Sequence, residues 1–240
     1  MTTFIDKALL RAEALKFGFS LDETALDRFD IYAKMLAEWN EKINLTAITD
    51  PYGIVIKHFV DSLTIFQYAD IEQGAKVIDV GTGAGFPGVA MLIARPDLDV
   101  TLLDSTGKKL NVIADILSHM GLEANIVHAR AEEAGRKNEY REQFNYATAR
   151  AVANLRELSE YCLPFVKKGG TFISLKAAKA GEEIDGAKKA IKLLGGEIEN
   201  AESFNLSDAG ERNIVLIKKV SPTSAKYPRP SAKIAKNPLE

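Results

Sequence analysis

Cysteine, net charge and long apolar runs are all scarce in this sequence, and each absence narrows the class of protein. Its 240 residues contain one cysteine, Cys162, which excludes an internal disulfide and a multi-cysteine zinc site. No run of about eighteen apolar residues is present, so we expect no membrane span, and the first residues lack a secretory pattern. The net charge of −2 means that any RNA-binding surface must be a local patch. We therefore expect a cytoplasmic globular protein.

The histidines are too few and too scattered to form a metal site. His58, His119 and His128 are the only three in the chain. We expect His119 on a helix and His128 at or just after a strand, both as structural residues. The sequence therefore predicts no metal cofactor.

A strand followed by a glycine-rich turn is the most informative feature. The strand carries Asp79 among β-branched residues, and glycines follow at positions 81, 83 and 85 before Pro87. This G-x-G-x-G spacing differs from the G-x-G-x-x-G of dinucleotide-binding loops. It favours an S-adenosylmethionine loop over a nicotinamide loop or a turn that binds nothing. Gly81, Gly83 and Asp79 are the predicted ligand contacts in this segment.

A second acidic residue lies about twenty positions after the loop, as nucleotide-binding folds require. The segment from Asp99 to Asp104 predicts the next strand. A carboxylate at its end can accept hydrogen bonds from both ribose hydroxyls of an adenosyl group, or it can cap the helix that begins near Thr106. Because the loop and the carboxylate occur together, we predict that Asp104 binds the ribose.

Hydrophobic periodicity divides the chain into three parts. Residues 1–70 are predicted to be a helical region, and residues 71–220 a methyltransferase-type domain in which strands and helices alternate around a mostly parallel sheet. Residues 221–240 form a basic, proline-containing tail that we expect to be irregular, extended and solvent-facing. The first two helices are predicted to bury two apolar faces, Ile5, Ala8, Leu9, Ala12 and Leu15 on one helix and Leu26, Phe29, Ala33, Leu36 and Trp39 on the other.

Seven strands and five helices are predicted in the alternating part. The strands are 76–80, 99–104, 124–128, 144–149, 170–175, 196–204 and 213–220, the last two as a hairpin-like pair. The helices are 87–94, 106–120, 131–138, 153–166 and 180–194.

The residues after the fourth predicted strand narrow the chemistry. Enzymes that methylate exocyclic base amines usually carry an Asn/Asp-Pro-Pro-aromatic loop there, whereas this chain has Arg150 and no proline. Enzymes that methylate pyrimidine carbon 5 need a cysteine nucleophile, whereas Cys162 is expected in the core. A purine ring nitrogen such as N7 of guanine has a lone pair and no proton to remove, so it needs positioning rather than a base. The sequence leaves three roles open for Arg150: binding the ligand, clamping the guanine edge, or forming a salt bridge at the end of the strand.

Seven short motifs in order along the chain resemble one family. They read Trp39-Asn40-Glu41-Lys42-Ile43-Asn44-Leu45-Thr46, Lys57-His58-Phe59-Val60-Asp61-Ser62-Leu63, Gly85-Phe86-Pro87-Gly88, Arg130-Ala131-Glu132-Glu133, Thr148-Ala149-Arg150-Ala151-Val152, Leu175-Lys176-Ala177 and Arg212-Asn213-Ile214-Val215. From about residue 20 to its end, the chain resembles the glucose-inhibited division protein B family of bacterial rRNA guanine-N7 methyltransferases. The tail departs from the family, because its Tyr-Pro-Arg stretch lacks the usual following glycine.

This resemblance implies both a fold and an activity. The fold is α/β: a seven-stranded, Rossmann-like, class I S-adenosylmethionine methyltransferase with an N-terminal helical appendage. The activity is transfer of a methyl group from S-adenosylmethionine to N7 of one guanine in 16S rRNA, at the family's site, guanine 527. The implied partner is the 30S small-subunit particle, and we expect the enzyme to be a monomer that does not contact membranes.

The resemblance also implies particular ligand contacts. These come from Gly81, Phe86, Ala131, Glu132 and Arg150. Phe86 offers an apolar wall and the Ala131–Glu132 pair can meet the adenine amino group. The alternatives are core packing for Phe86 and a first-turn acid favoured by the helix dipole for Glu132.

The predicted RNA contacts are basic residues near this site. Lys176 at the end of the fifth strand and Arg212 before the last strand are expected to meet phosphates, or they are solvated surface charges. With Arg150, they form the predicted catalytic set.

The helical region supplies a second group of candidates. Asn44, Lys57 and His58 are expected to cover the ligand or meet RNA, although Asn44 also suits a turn.

Two rival functions remain open at this stage. A nicotinamide-dependent oxidoreductase uses a similar turn, and a non-catalytic RNA-binding module can retain a methyltransferase fold. The glycine spacing argues against the first, and only an activity measurement decides the second.

Overall fold

Seven strands form one sheet in the order β3-β2-β1-β4-β5-β7-β6. The computed structural model of the protein describes residues 3–150, 153–177 and 180–240, so Ala151 and Val152 of the fifth motif lie outside the described residues. β1 to β5 pair in parallel, and β7 lies antiparallel between β5 and β6. The strands are β1 Lys76–Val80, β2 Asp99–Asp104, β3 Asn125–His128, β4 Phe144–Arg150, β5 Val166–Ala177, β6 Gly196–Asn205 and β7 Glu211–Lys219.

All seven predicted strands are present; β1 and β2 have the predicted bounds, and the other five differ at one or both ends. β5 begins at Val166 rather than at residue 170, because Val166 already pairs with Phe144 of β4. The predicted helix 153–166 is correspondingly shorter, since a 3-10 turn at Leu163–Phe165 leads into β5.

The helices lie on both faces of the sheet and in the N-terminal region. Between α3 and α4 the chain forms a π-helical segment, Ile54–Val60, of the kind often found at functional sites. The predicted helix 131–138 ends at Ala134. The α-helices are α1 Lys7–Lys16, α2 Glu23–Asn40, α3 Pro51–Gly53, α4 Asp61–Leu63, α5 Ile65–Tyr68, α6 Gly88–Ala94, α7 Gly107–Met120, α8 Ala131–Ala134, α9 Leu155–Cys162, α10 Ala180–Leu193 and α11 Ser231–Lys236.

The sheet separates two hydrophobic cores. Successive strand residues point to opposite faces, so Val77 of β1 lies in one core and Ile78 in the other. The first core contains the buried residues of the N-terminal helices together with α6 and α7, and the second contains those of α9 and α10. The N-terminal helices are therefore packed into the main body of the protein.

The face predicted for the first helix is confirmed only at its start, where Ile5 is buried and Leu9 packs against the first core, and α1 otherwise buries a different face. Its buried residues are Leu10, Glu13 and Ala14, whereas Ala12 is exposed and Leu15 is 63% exposed. Glu13 faces inward because its carboxylate accepts hydrogen bonds from Lys16 Nζ and from Ser207 Oγ, each at 2.7 Å. The sequence showed the apolar residues but not this long-range partner.

The face predicted for α2 is confirmed. Leu26, Phe29, Ala33 and Leu36 are all buried, and Trp39 is half-buried against the same core.

The expectation of an irregular, solvent-facing tail is confirmed in part: most of its residues are exposed and lie outside regular secondary structure, but several are anchored in the protein. Tyr227 and Ile234 are buried, and residues 231–236 form α11. Arg229 forms an ion pair with Glu160 at 2.6 Å, and the Glu160 side chain is only 1% exposed. Arg141 also donates hydrogen bonds to the carbonyl oxygens of Thr223 at 2.6 Å and Tyr227 at 2.9 Å. Buried charge and backbone groups thus hold the basic tail against the protein.

We expect Arg229→Ala to lower the free energy of unfolding by about 3 kcal/mol, because it leaves the Glu160 carboxylate buried without its partner. Urea unfolding measures this change. The control is Arg156→Ala, whose partner Glu240 is 87% exposed, so that it should lose less than about 1 kcal/mol. Equal losses in both variants would contradict a structural role for the tail.

Candidate active site

A buried carboxylate shapes the glycine loop after β1. Asp79 is fully buried, and its carboxylate accepts hydrogen bonds from Thr82 Oγ1 at 2.6 Å, Gly88 N at 2.9 Å and Thr148 Oγ1 at 3.3 Å. Burial raises its pKa to about 6, against the opposing effect of these hydrogen bonds and of the Arg150 charge. Asp79 therefore lies beneath the loop and does not border the cavity above it.

Two glycines of this loop are required by close packing. A Cβ at Gly85 would lie 2.5 Å from the Tyr32 hydroxyl, and a Cβ at Gly88 would lie 2.5 Å from Leu102 Cδ2 and 2.9 Å from the Asp79 side chain. The Tyr32 hydroxyl instead donates a 2.6 Å hydrogen bond to the Ala84 carbonyl. α2 thus braces the loop from the N-terminal region.

A cavity of about 570 Å³ opens above the loop, at the carboxyl ends of β1, β2 and β3. Its volume lies within the roughly 300–1,000 Å³ of small-molecule sites. Seven of the eight residues predicted to contact the cofactor line this cavity, namely Gly81, Gly83, Phe86, Asp104, Ala131, Glu132 and Arg150.

Asp104 has free acceptor capacity towards the cavity. Its Oδ2 accepts from Gly83 N at 2.9 Å and its Oδ1 from Thr106 N at 2.8 Å. A carboxylate has about four lone-pair positions, so each oxygen can accept one more hydrogen bond. Asp104 therefore fixes the glycine loop and the residue before α7, Gly107–Met120, and it still borders the cavity, where ribose binding stays a prediction.

A stack of side chains closes the other end of the cavity. The His58 ring lies 4.4 Å from the Phe86 ring at an interplanar angle of 18°, and the Arg150 guanidinium lies 4.9 Å from the same ring. Arg150 also donates hydrogen bonds to the Lys57 carbonyl at 3.1 Å and to Asp61 Oδ2 at 3.0 Å. Arg150 therefore forms an ion pair at the end of its strand and also lines the cavity.

His58 is held as a neutral imidazole. Arg150 Nη2 lies 3.1 Å from His58 Nδ1 and must be the donor, so Nδ1 accepts and the proton lies on Nε2, which faces Thr46 Oγ1 at 2.8 Å. Burial, followed by the Arg150 charge, lowers the pKa of His58 to about 3. His58 therefore carries no charge at physiological pH.

A second cavity of about 230 Å³ adjoins the first at His58 and Arg150, which border both. Lys176 and Arg212 also border it, from the neighbouring strands β5 and β7, where Lys176 pairs with Asn213 and Arg212 pairs with Ala177. Lys176 Nζ forms an ion pair with Glu183 at 2.9 Å, and Arg212 Nε one with Asp61 at 3.0 Å. The three predicted catalytic residues thus converge, although each already has an acidic partner.

Several site residues were missed or misplaced from the sequence. Asp61 pairs with Arg150 and Arg212, which lie 89 and 151 positions further along the chain. No local sequence pattern indicates these contacts. Tyr161 and Ser231 border the first cavity, and Ser231 lies in the tail. Asn44 is exposed and borders neither cavity.

Two kinds of feature are absent from the described parts of the chain. Across residues 3–150, 153–177 and 180–240, no cluster of three or more His, Cys, Asp or Glu side chains is arranged to hold a metal ion. No helix within the same ranges has the length and apolar character needed to cross a membrane.

The sheet order, the glycine loop after β1 and the acidic residue ending β2 define a class I S-adenosylmethionine-dependent methyltransferase. The family model described as rRNA small subunit methyltransferase G matches residues 25–215. The chain belongs to this family, as its motifs indicated.

Curated relatives match over nearly the whole chain. Proteins named ribosomal RNA small subunit methyltransferase G are 44% identical in Clostridium novyi, over 96% of both chains, and 46% identical in Bacillus subtilis, over 93% of this chain and 94% of the relative. The one from Acetivibrio thermocellus is 47% identical over 97% of this chain and 96% of its own.

Solved structures share the fold at low identity. A Thermotoga maritima S-adenosylmethionine-dependent O-methyltransferase has a TM-score of 0.53 at 16% identity, covering 79% of this chain and 72% of its own. A 16S rRNA (adenine(1408)-N(1))-methyltransferase from Catenulisporales acidiphilia has a TM-score of 0.52 at 14% identity, covering 62% of this chain and 87% of its own. These similarities support the fold class alone.

We expect the His58 ring to stay neutral, with its proton on Nε2, from about pH 8 down to pH 5. Its pKa is lowered below 6.5, so the folded protein resists the proton that the unfolded chain accepts, and stability falls as pH drops through this range. Nitrogen-15 NMR of labelled histidine measures the tautomer and the titration. A His58→Asn variant assigns the signal, and a titration midpoint between pH 5 and 8 would contradict the arrangement.

Proposed function

We propose that this protein transfers a methyl group from S-adenosylmethionine to N7 of one guanine in 16S rRNA. The observation that carries this proposal is the junction of the two cavities at His58 and Arg150, which gives a donor site and an acceptor site one shared boundary. Family membership supplies the substrate, and guanine 527 is the position that we propose.

The residues of the first cavity fit S-adenosylmethionine. Asp104 would accept the ribose hydroxyls with its remaining lone pairs, and Gly81 and Gly83 would let backbone approach the ligand. Ala131 and Glu132 would meet the adenine. Asp79 acts beneath the loop by fixing its shape rather than by touching the ligand.

The second cavity fits a single base taken out of its stack. Lys57, Lys176 and Arg212 lie on its wall, where their positive charges would attract the phosphates on either side of that base. In this proposal Lys176 and Arg212 exchange part of their ion pairing for RNA phosphate on binding.

The chemical step needs no general base. Bound S-adenosylmethionine supplies an electrophilic methyl group. The N7 lone pair forms the new C–N bond while the C–S bond breaks, S-adenosylhomocysteine leaves, and guanine gains one positive charge without losing a proton. His58 is neutral with its free lone pair occupied by Arg150, so its role is to orient Arg150 at the boundary between the sites.

The rival readings differ from this proposal in a measurable way. A nicotinamide oxidoreductase would bind NAD in preference to S-adenosylmethionine, and a non-catalytic RNA-binding module would bind rRNA without methylating it. We further propose that the enzyme works in the cytoplasm, as a monomer, without a metal, on the 30S particle.

Methylation of 30S particles from cells lacking this enzyme tests the function directly. We expect 7-methylguanosine at one position, mapped by strand cleavage after borohydride and aniline treatment, and a single-turnover rate independent of pH from about 6 to 8. Arg150→Lys should lose at least about tenfold, because an ammonium cannot reproduce the forked hydrogen bonds and the stacking on Phe86.

The matched control is Arg156→Lys, on the nearby helix α9, which should retain activity. No methyl transfer, transfer to another atom, or equal activity of the two lysine variants would each count against the proposal.

Asp104→Ala should weaken S-adenosylmethionine binding by about 1–3 kcal/mol, because the ribose hydroxyls lose their acceptor. Titration calorimetry measures the affinity, and thermal unfolding checks that the variant is folded. Asp99→Ala, at the exposed opposite end of the same strand, is the control. Unchanged affinity in folded Asp104→Ala would remove the residue from the ribose site.

A further inference from the structure

One carboxylate lies among the cations of the second cavity. Asp61, the first residue of α4, borders this cavity together with Lys57, Lys176 and Arg212. Its side chain is 8% exposed. Cations alone would suit any phosphate, so a nearly buried acid on the wall of a base-sized cavity calls for a separate explanation.

We propose that Asp61 recognises the target guanine by accepting hydrogen bonds from its N1–H and 2-amino groups. This inference rests on the function proposed above and deepens it, because it names the group that selects the base. Guanine offers two adjacent N–H donors on this edge, which match the two oxygens of a carboxylate. Adenine has an acceptor at N1. Repulsion between its lone pair and the carboxylate would disfavour adenine at this position.

Asp61 has the acceptor capacity for this role. Arg212 Nε occupies one lone pair of Oδ1 at 3.0 Å, and Arg150 Nη1 occupies one of Oδ2 at 3.0 Å. About two of the four lone-pair positions of the carboxylate remain. Arg150, which is itself held by the Lys57 carbonyl and by His58, fixes the orientation of the carboxylate, so little conformational freedom is lost when a base binds.

The proposed contact leaves the reacting atom free. N7 lies on the five-membered ring, across the purine from the 2-amino group, so a base held by its N1 and 2-amino edge keeps N7 unobstructed. Arg150, which contacts Asp61, borders both cavities. The base is thereby anchored beside the boundary that the methyl group must cross.

The same contact favours the transition state over the ground state. As N7 gains positive charge, the N1–H group becomes more acidic and a stronger hydrogen-bond donor. Its bond to the negatively charged Asp61 therefore strengthens during methyl transfer, and only such differential interactions raise the rate of the chemical step. Asp61 also offsets the repulsion between Arg150 and the developing cation.

The test uses reconstituted 30S particles that carry guanosine or inosine at the methylated position. Inosine keeps N7 and N1–H but lacks the 2-amino group. We expect the wild-type enzyme to show about a tenfold lower kcat/KM on inosine particles, since one charge-assisted hydrogen bond is lost. Asp61→Asn should be slower on guanosine, with a reduced kcat, and should distinguish the two particles by no more than about twofold.

Arg212→Gln is the control that separates recognition from structural support. It breaks the Asp61–Arg212 ion pair but keeps the Asp61 carboxylate, so it should retain the full preference for guanosine over inosine. Because every enzyme meets the same two particles, any effect of inosine on the RNA itself cancels in the comparison between enzymes.

Three outcomes would overturn the inference. The first is equal methylation of both particles by the wild-type enzyme, which needs no variant to be folded. The second is a tenfold preference retained in Asp61→Asn, and the third is its loss in Arg212→Gln. Failure of the wild-type enzyme to methylate the guanosine particle is distinguishable from all three, because it overturns the proposed function itself.

Discussion

The ion pair between Arg150 and Asp61 is the contact on which the site depends. It joins the end of β4 to the start of α4 at 3.0 Å, with side chains 15% and 8% exposed, and Asp61 extends the link to Arg212 on β7. A pair this buried gains little net stability, because desolvation offsets much of the Coulomb attraction. Its effect is positional, since three elements far apart in sequence acquire one fixed arrangement at the boundary of two cavities.

The charge of Arg150 also reaches the glycine loop. Asp79 ionises against the cost of full burial, which raises its pKa to about 6, and Arg150 is among the groups that oppose this rise. At neutral pH the ionised carboxylate is therefore less favourable in the folded chain than in the unfolded chain. The ionised carboxylate accepts hydrogen bonds from Thr82 and Gly88, and these bonds hold the glycine loop in its conformation. The loop and the cavity boundary are electrostatically coupled.

Local patterns predicted the sheet and the loop, and long-range pairings decided the rest. β-branched runs placed all seven strands, and the glycine spacing with Asp104 predicted residues that line the first cavity. The buried face of α1 could not be predicted, because Glu13 turns inward towards Ser207, 194 positions away. The packing of the tail depends in the same way on Glu160. From the sequence alone this residue resembles an ordinary surface acid on a helix, because its partner Arg229 is distant in the chain.

Both ends of the chain take part in the site, although the glycine loop lies near the middle. Thr46 and Asp61 from the N-terminal helical region and Ser231 from the tail border its cavities. Two solved structures with this fold are named as an adenine-N(1)-methyltransferase and an O-methyltransferase, at 14% and 16% identity, so the fold alone does not determine which atom is methylated. Arg150 stands on that shared sheet, but its partners His58 and Asp61 come from the N-terminal helices. The N-terminal helical region and the sheet therefore build the boundary between the two cavities together, and in the function proposed above this boundary is where the methylated base is selected.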